Sequence, residues 1–233
     1  MDFPSILHGL SIVAIPILLA ITFHEAAHGF VADRLGDPTA KYLGRLTLNP
    51  LPHIDPFGTI ILPLVLYVTP LLISGQPGFV FGYAKPVPVN FMNLRRPKQD
   101  MVWVAVAGPL TNLALAVAAG LLLHGMNGLG LLSGRSAAPG GGSGFAVIEP
   151  IVHMLHYSVL INVGLMLFNL LPIPPLDGGR VLVGLLPTSS SERLAGLERY
   201  GMVILMVLIF LDPLHLINRV LGPLSAALIG LIL

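Results

Sequence analysis

Apolar runs of near-bilayer length recur along the chain, and most charged residues lie between them. The runs cover residues 4–31, 57–73, 101–123, 147–171 and 200–233. Because about 20 apolar residues form a helix long enough to cross the hydrocarbon core, this pattern predicts an α-helical polytopic membrane protein. Asp212-Pro213 interrupts the last run. Since proline removes a backbone donor and clashes with the preceding turn, we expect a kink or a turn between about two short membrane segments there.

Composition strengthens this prediction and excludes several classes of protein. Hydrophobic residues make up 55% of the 233 residues and charged residues only 10%, with a mean hydropathy of +0.86. Soluble domains carry about 25% charged residues, so an ordinary soluble protein is excluded. The net charge of +1 provides no basic surface for nucleic acid, and the absence of cysteine excludes disulfide and thiolate chemistry.

Two connecting segments have the composition of extended chain. Residues 44–48 alternate in polarity, and residues 78–90 contain prolines that exclude helix and favour an extended backbone. They flank the apolar run 57–73, so we expect a small membrane-associated β-sheet beside that run. Exposed sheet edges are not tolerated in lipid, so this sheet is expected against protein or in a water-filled cleft. Residues 133–144 have the composition of a linker. We expect one integral-membrane domain over 1–233.

The distribution of basic residues predicts an orientation. If the run 57–73 is re-entrant, ten of the eleven basic residues between the apolar runs lie on one side of the membrane and Arg135 lies on the other. If the run crosses fully, the asymmetry disappears. The positive-inside rule therefore favours the re-entrant interpretation, with the basic side cytoplasmic and the N-terminus outside. The ten are Arg34, Lys41, Arg45, Lys85, Arg95, Arg96, Lys98, Arg180, Arg193 and Arg199.

The first apolar run ends in a candidate metal-binding motif, HEAAH at 24–28. On a helix, His24 and His28 project from the same face. Two imidazoles so placed can hold one zinc ion, while Glu25 points to the open side of the metal as a general base. Ionisable residues within membrane segments are costly and usually functional. The alternative is that the motif only marks the watery end of the helix.

A catalytic zinc ion needs a third protein ligand and an open position for water. Asp177 is the strongest candidate, because three prolines precede it in NLLPIPPLDGGR and an unwound segment can turn a carboxylate inward. Gly178 and Gly179 allow tight turning beside it. The alternative is that Asp177 caps the N-terminus of a helix that starts near Arg180. Weaker candidates, each near a segment boundary, are Asp2, Asp55, Asp212 and Glu149.

The pair HEAAHG and N-x-x-P-x-x-P-x-D-G-G-R resembles the motifs of the site-2 protease family of intramembrane zinc metalloproteases. Ala107-Gly108-Pro109 followed by Asn112 also resembles a motif of that family, as do the stretches HIDPFG and KPVPVN. The resemblance covers about residues 22–180. Leu170 departs from the variant that has proline directly after the asparagine. Neither the PDZ insert nor the CBS pair of some members is recognisable, so the chain resembles a short form.

The resemblance implies a fold and a metal site. The fold would be a three-helix catalytic core over about residues 4–187, with the small sheet beside it and C-terminal membrane segments over about 200–233. His24, His28 and Asp177 would bind one Zn²⁺ per chain.

The resemblance also implies roles for three polar residues. Glu25 would be the general base that activates the attacking water. Asn169 would orient the substrate or stabilise the oxyanion, and hydrogen bonding between helices is an equally open alternative. Asn112 has the same two possible roles, with hydrogen bonding between helices favoured.

The implied function is hydrolysis of peptide bonds within or near transmembrane segments of membrane-protein substrates. The partners would be such a substrate and the lipid bilayer, and the location a multi-pass position in the plasma membrane with the active site toward the cytoplasm. An edge strand within 78–90 or 45–48 would hold the unwound substrate by strand addition. The rival hypothesis is a transporter or metal-permeation protein that uses the His/Asp cluster as a binding site. It predicts that Glu25 is replaceable and that no cleavage product forms.

Overall fold

Three long helices dominate the computed structural model of the protein, which describes residues 3–62, 64–65, 68–69, 83–132, 145–211 and 217–233. The long helices are α1 (Phe3–Leu35), α3 (Pro97–Gly128) and α4 (Phe145–Asn169), and the short helix α2 (Thr39–Tyr42) follows α1. The C-terminal part contains α5 (Asp177–Leu185), α6 (Thr188–Ala195), α7 (Gly201–Leu211) and α8 (Gly222–Ile232). Single 3₁₀ or π turns occur at Leu51–His53, Pro56–Ile61, Phe91–Asn93, Glu198–Tyr200 and Ile217–Leu221.

The long helices contain three candidate membrane spans. These are Ser11–Leu35, Pro97–Gly128 and Ile148–Asn169, with 25, 32 and 22 residues. At about 1.5 Å per residue, each is longer than the ~30 Å hydrocarbon core of a bilayer. Their length and composition agree with a multi-pass membrane protein. The C-terminal helices α7 and α8 have 11 residues each, and the interruption at Asp212-Pro213 between them lies outside the described residues.

Helix α3 lies at the centre and packs against α1, α4, α5 and α8. Small residues on α3 allow the close packing of helices that membrane proteins use in place of a hydrophobic driving force. Gly120 is one such residue, because a Cβ there would collide with Ile232 of α8. The buried cluster between α3 and α4 consists of Ala116, Ala119, Val159, Val163, Met166 and Leu167. This packing holds the polar residues of the core helices close together.

The C-terminus of α1 is closed by a Schellman motif that buries an aspartate. Gly36 has φ +115°, the Gly36 N–H donates to Asp33 O at 3.3 Å, and the Asp37 N–H donates to Ala32 O at 2.8 Å. The carboxylate of Asp37 accepts hydrogen bonds from Asn90 N at 2.6 Å, from Asn93 Nδ2 at 2.9 Å, and from Thr39. We call this group of bonds the Asp37 clamp. It joins the end of α1 to the chain that leads into α3.

The predicted sheet is not found, since none of the described residues forms a β-strand. Residues 44–48 form a turn and irregular chain, and residues 83–90 are irregular chain with no ladder partner among the described residues; residues 78–82 lie outside the described range. The physical reason is visible in the bonding of 83–90. Pro86 and Pro88 have no N–H to donate to a ladder. Instead, Arg45 Nη2 donates to Lys85 O at 2.8 Å, and Lys85 N donates to His53 O at 2.9 Å.

The apolar run 57–73 begins as a helical turn. Asp55 caps the π turn Pro56–Ile61 by accepting from Gly58 N at 2.7 Å. Residues 62, 64–65 and 68–69 are helical, and residues 70–73 lie outside the described range. The prediction that this run is re-entrant therefore stays a prediction.

Candidate active site

Three predicted ligands from two distant parts of the chain meet in the core. His24 and His28 lie one turn apart on α1, and Asp177 is the first residue of α5. The distance between His24 Nε2 and His28 Nε2 is 3.1 Å. Asp177 Oδ2 lies 3.1 Å from His24 Nε2 and 3.4 Å from His28 Nε2. All three side chains are buried, so they form a group that could hold a metal ion.

Asp177 reaches the histidines because the chain turns sharply between α4 and α5. Leu176, not Asp177, is the N-cap of α5, and among the described residues no side-chain cap bond is made. The alternative role as an N-cap is therefore not supported. A Cβ at Gly178 would collide with Leu170 O, and one at Gly179 would lie 2.5 Å from Pro174 N. Both glycines thus allow the start of α5 to pack against the preceding turn, which brings the carboxylate to α1.

Gly108 of α3 keeps open the space beside the histidines. A Cβ at this position would lie 2.5 Å from His28 Nε2 and 2.7 Å from His24 Nε2. The glycine of the Ala107-Gly108-Pro109 motif therefore forms one wall of the cradle, and any larger residue would fill it.

The other ring nitrogens of the histidines determine which nitrogen carries the proton. His28 Nδ1 lies 2.7 Å from Val104 O. A carbonyl oxygen only accepts, so Nδ1 is the donor and Nε2 presents a lone pair. His24 Nδ1 lies 2.5 Å from Asn112 Oδ1 and is a donor for the same reason. While both rings are neutral, the contact between the two Nε2 atoms is therefore a contact between two acceptors and not a hydrogen bond.

This arrangement of acceptors fits a divalent metal ion. Asp177 Oδ2 is buried and lacks hydrogen-bond geometry to any described residue, although both Nε2 atoms lie within salt-bridge distance. Three acceptors so close together repel each other unless a cation lies among them or a ring gains a proton. Tetrahedral zinc ligands at about 2.1 Å lie about 3.4 Å apart, close to the separations found here. Two imidazoles and one carboxylate are a donor set typical of catalytic zinc.

Glu25 lies between the two histidines in sequence and is partly buried. Its Oε2 accepts a hydrogen bond of 2.7 Å from Val87 N. The Val87 side chain packs where Gly29 lacks one, since a Cβ on Gly29 would lie 2.9 Å from Val87 Cγ1. The extended segment 83–90 therefore crosses α1 beside Glu25.

The two predicted asparagines have different surroundings. Asn169 is partly buried, and its Nδ2 donates to Leu165 O at 3.0 Å within α4. Asn112 is 0% exposed, and its Nδ2 donates to Ala20 O at 3.3 Å and to Asn162 Oδ1 at 2.7 Å. Asn112 thus makes the hydrogen bonds between helices that were its favoured alternative. The sequence analysis missed Asn162, although an amide side chain within an apolar membrane helix itself indicates hydrogen bonding between helices or a functional site.

Comparison with known proteins identifies the family. Residues 143–211 match the model of Peptidase family M50. The chain is 38% identical over 202 residues to Putative zinc metalloprotease YwhC of Bacillus subtilis, covering 87% of this chain and 81% of that protein. It is 32% identical over 203 residues to Putative zinc metalloprotease Rip2 of Mycolicibacterium smegmatis, covering 85% of this chain and 66% of that protein. No solved structure matches the chain.

The chain therefore belongs to peptidase family M50, the site-2 protease family. This confirms the resemblance that the two motifs indicated. It also confirms the predicted class of enzyme, a zinc metalloprotease.

Proposed function

We propose that the protein is an intramembrane zinc metalloprotease that hydrolyses peptide bonds within or near transmembrane segments of membrane-protein substrates. The observation that carries this proposal is the meeting of His24, His28 and Asp177 inside the helical core, with Glu25 beside them on α1. His24 and His28 belong to a candidate membrane span. A hydrolytic site at that position acts on substrates that lie in the membrane.

His24, His28 and Asp177 would hold one zinc ion per chain. When bound, zinc polarises the scissile carbonyl and lowers the pKa of a water molecule to about 7. Glu25 takes a proton from the attacking water and delivers it to the leaving amine. The hydrogen bond from Val87 N fixes one oxygen of the Glu25 carboxylate, so the base has a defined orientation before substrate arrives.

We assign the substrate to the side of the extended segment 83–90. A peptide in a helix hides its carbonyl groups, so the substrate must be extended at the cleavage site. Pro86 and Pro88 offer no N–H, so strand addition along 83–90 would use the Val89 N–H and the carbonyl groups of the segment, and it would present such a peptide next to Glu25. Replacing Val89 with proline should reduce cleavage without loss of bound zinc, and Val89→Thr is the matched control. Full cleavage by the proline variant would count against strand addition.

Asn169 is the remaining candidate for orienting the substrate or stabilising the oxyanion, because both the oxygen and the nitrogen of the Asn112 side chain already make hydrogen bonds. Asn169→Ala should lower kcat by about 10²–10³-fold if the amide stabilises the oxyanion, since loss of one such donor typically has that effect. Zinc content should stay unchanged. A kcat within twofold of the wild-type value would leave Asn169 with only its hydrogen bond to Leu165.

The test of the proposed function is cleavage of a single-span membrane protein by the purified enzyme in detergent. We expect zinc-dependent cleavage that Glu25→Gln abolishes while bound zinc is retained. Glu149→Gln, which changes an exposed carboxylate paired with His153, is the matched control and should cleave normally. Equal cleavage by wild type and Glu25→Gln would overturn the proposal. Absence of any product, with metal transport unaffected by Glu25→Gln, would instead favour a transporter.

We further propose that the protein lies in the plasma membrane with its active site toward the cytoplasm, on the strength of the ten basic residues predicted on one side. The chain has no cysteine, so single cysteines can report sidedness directly. Single cysteines at Tyr42, which is 82% exposed, and at 75, which lies outside the described residues, should react from the same side of the membrane. Reaction from opposite sides would refute the re-entrant topology.

A further inference from the structure

A continuous row of buried amides connects α4 to the metal-binding face of α1. Asn162 Nδ2 donates to Ser158 O at 2.8 Å, and Asn112 Nδ2 donates to Asn162 Oδ1 at 2.7 Å. Asn112 Oδ1 then lies 2.5 Å from His24 Nδ1. Asn112 and Asn162 are 0% and 1% exposed. We call Asn162 and Asn112, between Ser158 O and His24, the asparagine relay.

The asparagine relay has a single direction, because it is anchored on carbonyl oxygens that only accept. Ser158 O requires Nδ2 of Asn162 on its side, so Asn162 Oδ1 faces α3. That oxygen and Ala20 O both require Nδ2 of Asn112, so Asn112 Oδ1 faces His24. His24 Nδ1 must then donate. Each amide is fixed by the one before it, and His24 is left with its lone pair on Nε2.

We propose that Asn162, acting through Asn112, is a positioning residue that sets the Nδ1-protonated tautomer of His24 and so presents its Nε2 lone pair to the metal. The inference rests on the proposed function in one respect, the role of His24 as a zinc ligand. Without Asn162 Oδ1, Ala20 O at 3.3 Å is the one acceptor among the described residues that orients the Asn112 nitrogen. A reversed amide would donate to Nδ1, move the ring proton to Nε2 and block metal binding.

A purely structural role for Asn162 makes a different prediction. The asparagine relay also connects α1, α3 and α4, so its loss would weaken helix packing regardless of tautomer. Val163→Ala is the matched control, because Val163 follows Asn162 on α4, is 0% exposed and belongs to the core between α3 and α4. This variant weakens the same packing without touching an amide.

The decisive measurement is nitrogen NMR of ¹⁵N-histidine-labelled, metal-free protein in detergent, with the His24 signals assigned by their loss in His24→Gln. Wild type and Val163→Ala should show His24 protonated on Nδ1. Asn162→Leu and Asn112→Leu should shift His24 toward the Nε2-protonated form. Zinc affinity, measured by competition with a chelator, should fall about 10–100-fold in Asn112→Leu and about tenfold in Asn162→Leu, the range found for partners of metal ligands.

Asn112→Asp provides the sharpest test, because a carboxylate presents an oxygen to His24 whichever way it turns, while its second oxygen faces the acceptors Asn162 Oδ1 and Ala20 O. Orientation by Asn162 then becomes unnecessary, and Asn162→Leu removes one of those acceptors. Asn162→Leu should therefore cost about tenfold in zinc affinity in the wild-type background, and in the Asn112→Asp background it should leave zinc affinity unchanged or raise it.

Three outcomes would overturn the inference. They are an unchanged His24 tautomer in Asn162→Leu, an equal loss of zinc affinity in Val163→Ala, and an equal effect of Asn162→Leu in both backgrounds. Failure of the proposed function would look different. The His24 signals would then not respond to zinc in the wild type, while the tautomer shifts between variants would remain.

Discussion

Asp37 and Asp177 are both buried acidic residues close to a helix end, yet their surroundings are opposite. Asp37 is 0% exposed and Asp177 is 5% exposed. Asp37 faces donors, with N–H or O–H groups of Thr39, Asn90 and Asn93 directed at its oxygens. Asp177 faces acceptors, the lone pairs of two histidines.

The difference teaches that burial of a carboxylate does not by itself identify a functional site. A buried charge is stable when donors surround it, and the Asp37 clamp is then explained as structure. A buried carboxylate among acceptors is stable only when a cation lies among them or a neighbouring ring gains a proton. The kind of atom around the carboxylate, and not its depth, separates the structural aspartate from the candidate ligand.

The largest expected effect is on Asp177. Asp177→Asn should lower peptide cleavage at least about a thousandfold, because the metal contributes several kcal/mol to transition-state stabilisation. The metal-free variant should unfold at the same temperature as the wild type or higher, because one of three mutually repelling acceptors is neutralised. Cleavage kinetics and thermal unfolding in the presence of a chelator check this. Asp33→Asn, which removes only the surface pair with Lys41, is the control; a loss under tenfold for Asp177→Asn would contradict its role as a ligand.

The second largest effect is a loss of stability without a loss of metal binding, and it is expected at Asp37. Asp37→Ala should lower the free energy of unfolding by about 2–4 kcal/mol, because hydrogen bonds to a charged group are lost and donors are left unsatisfied. Folded protein should still bind zinc. Asn93→Ala, which removes one exposed donor to the same carboxylate, should lower the free energy of unfolding by about 1 kcal/mol. Denaturant titration in detergent checks both values. If Asp37→Ala is no less stable than Asn93→Ala, the structural role given to the Asp37 carboxylate is contradicted.

The third prediction concerns Gly108, where a substitution should affect metal binding more than it affects the stability of the fold. Gly108→Ala places a Cβ against both histidines, and overpacking of about 1–3 kcal/mol should weaken zinc affinity about 5–150-fold. Gly125→Ala, on the same helix with no described atom within 4 Å of the new Cβ, should leave zinc affinity unchanged. It should raise the free energy of unfolding by up to ~1 kcal/mol, since alanine favours helix. Equal zinc affinity in both variants would show that the cradle tolerates a methyl group.

The smallest effect is the pH dependence of the Asp37 clamp. Burial raises the pKa of Asp37, but the hydrogen bonds from Thr39, Asn93 and Asn90 outweigh it and hold the pKa below its usual value. A lowered pKa in the folded state contributes stability that is fully present above the ordinary pKa of about 4 and is lost as pH falls through the folded pKa. The difference in unfolding temperature between wild type and Asp37→Asn should therefore be constant near neutral pH and shrink below about pH 4. A difference that grows on acidification would contradict this sign.

Much of the candidate site could be predicted from sequence because its signals are local. The spacing of His24 and His28 places both rings on one face of α1, and the broken helix before Asp177 marks a carboxylate that turns inward. That the histidines and Asp177 lie together depends on long-range packing, and the prediction of it rested on the family resemblance. The spacing of the two motifs alone does not determine that distance.

The parts that sequence reasoning missed depend on partners far away in the chain. Asp37 looks like an ordinary turn residue in DPT, and only its bonds to Asn90 and Asn93 reveal its burial. The role of Asn162 depends on its hydrogen bond with Asn112, which lies on another helix. The predicted strands are not found among the described residues for a related reason, because extended composition predicts a conformation but not a ladder partner. Residues 83–90 bond to side chains and turns instead.

The Asp37 clamp also opposes rotation of α1 about its own axis. A slip of one residue turns an α-helix by about 100° and carries each Cα about 3.5 Å around the axis. That displacement is comparable to the 3.1 Å between His24 Nε2 and Asp177 Oδ2, so a slipped helix would direct both imidazoles away from α5. The clamp lies more than two helical turns beyond His28 and touches none of the ligands, yet it adds to the packing of α1 against α3 a second constraint on the angular alignment of the ligands.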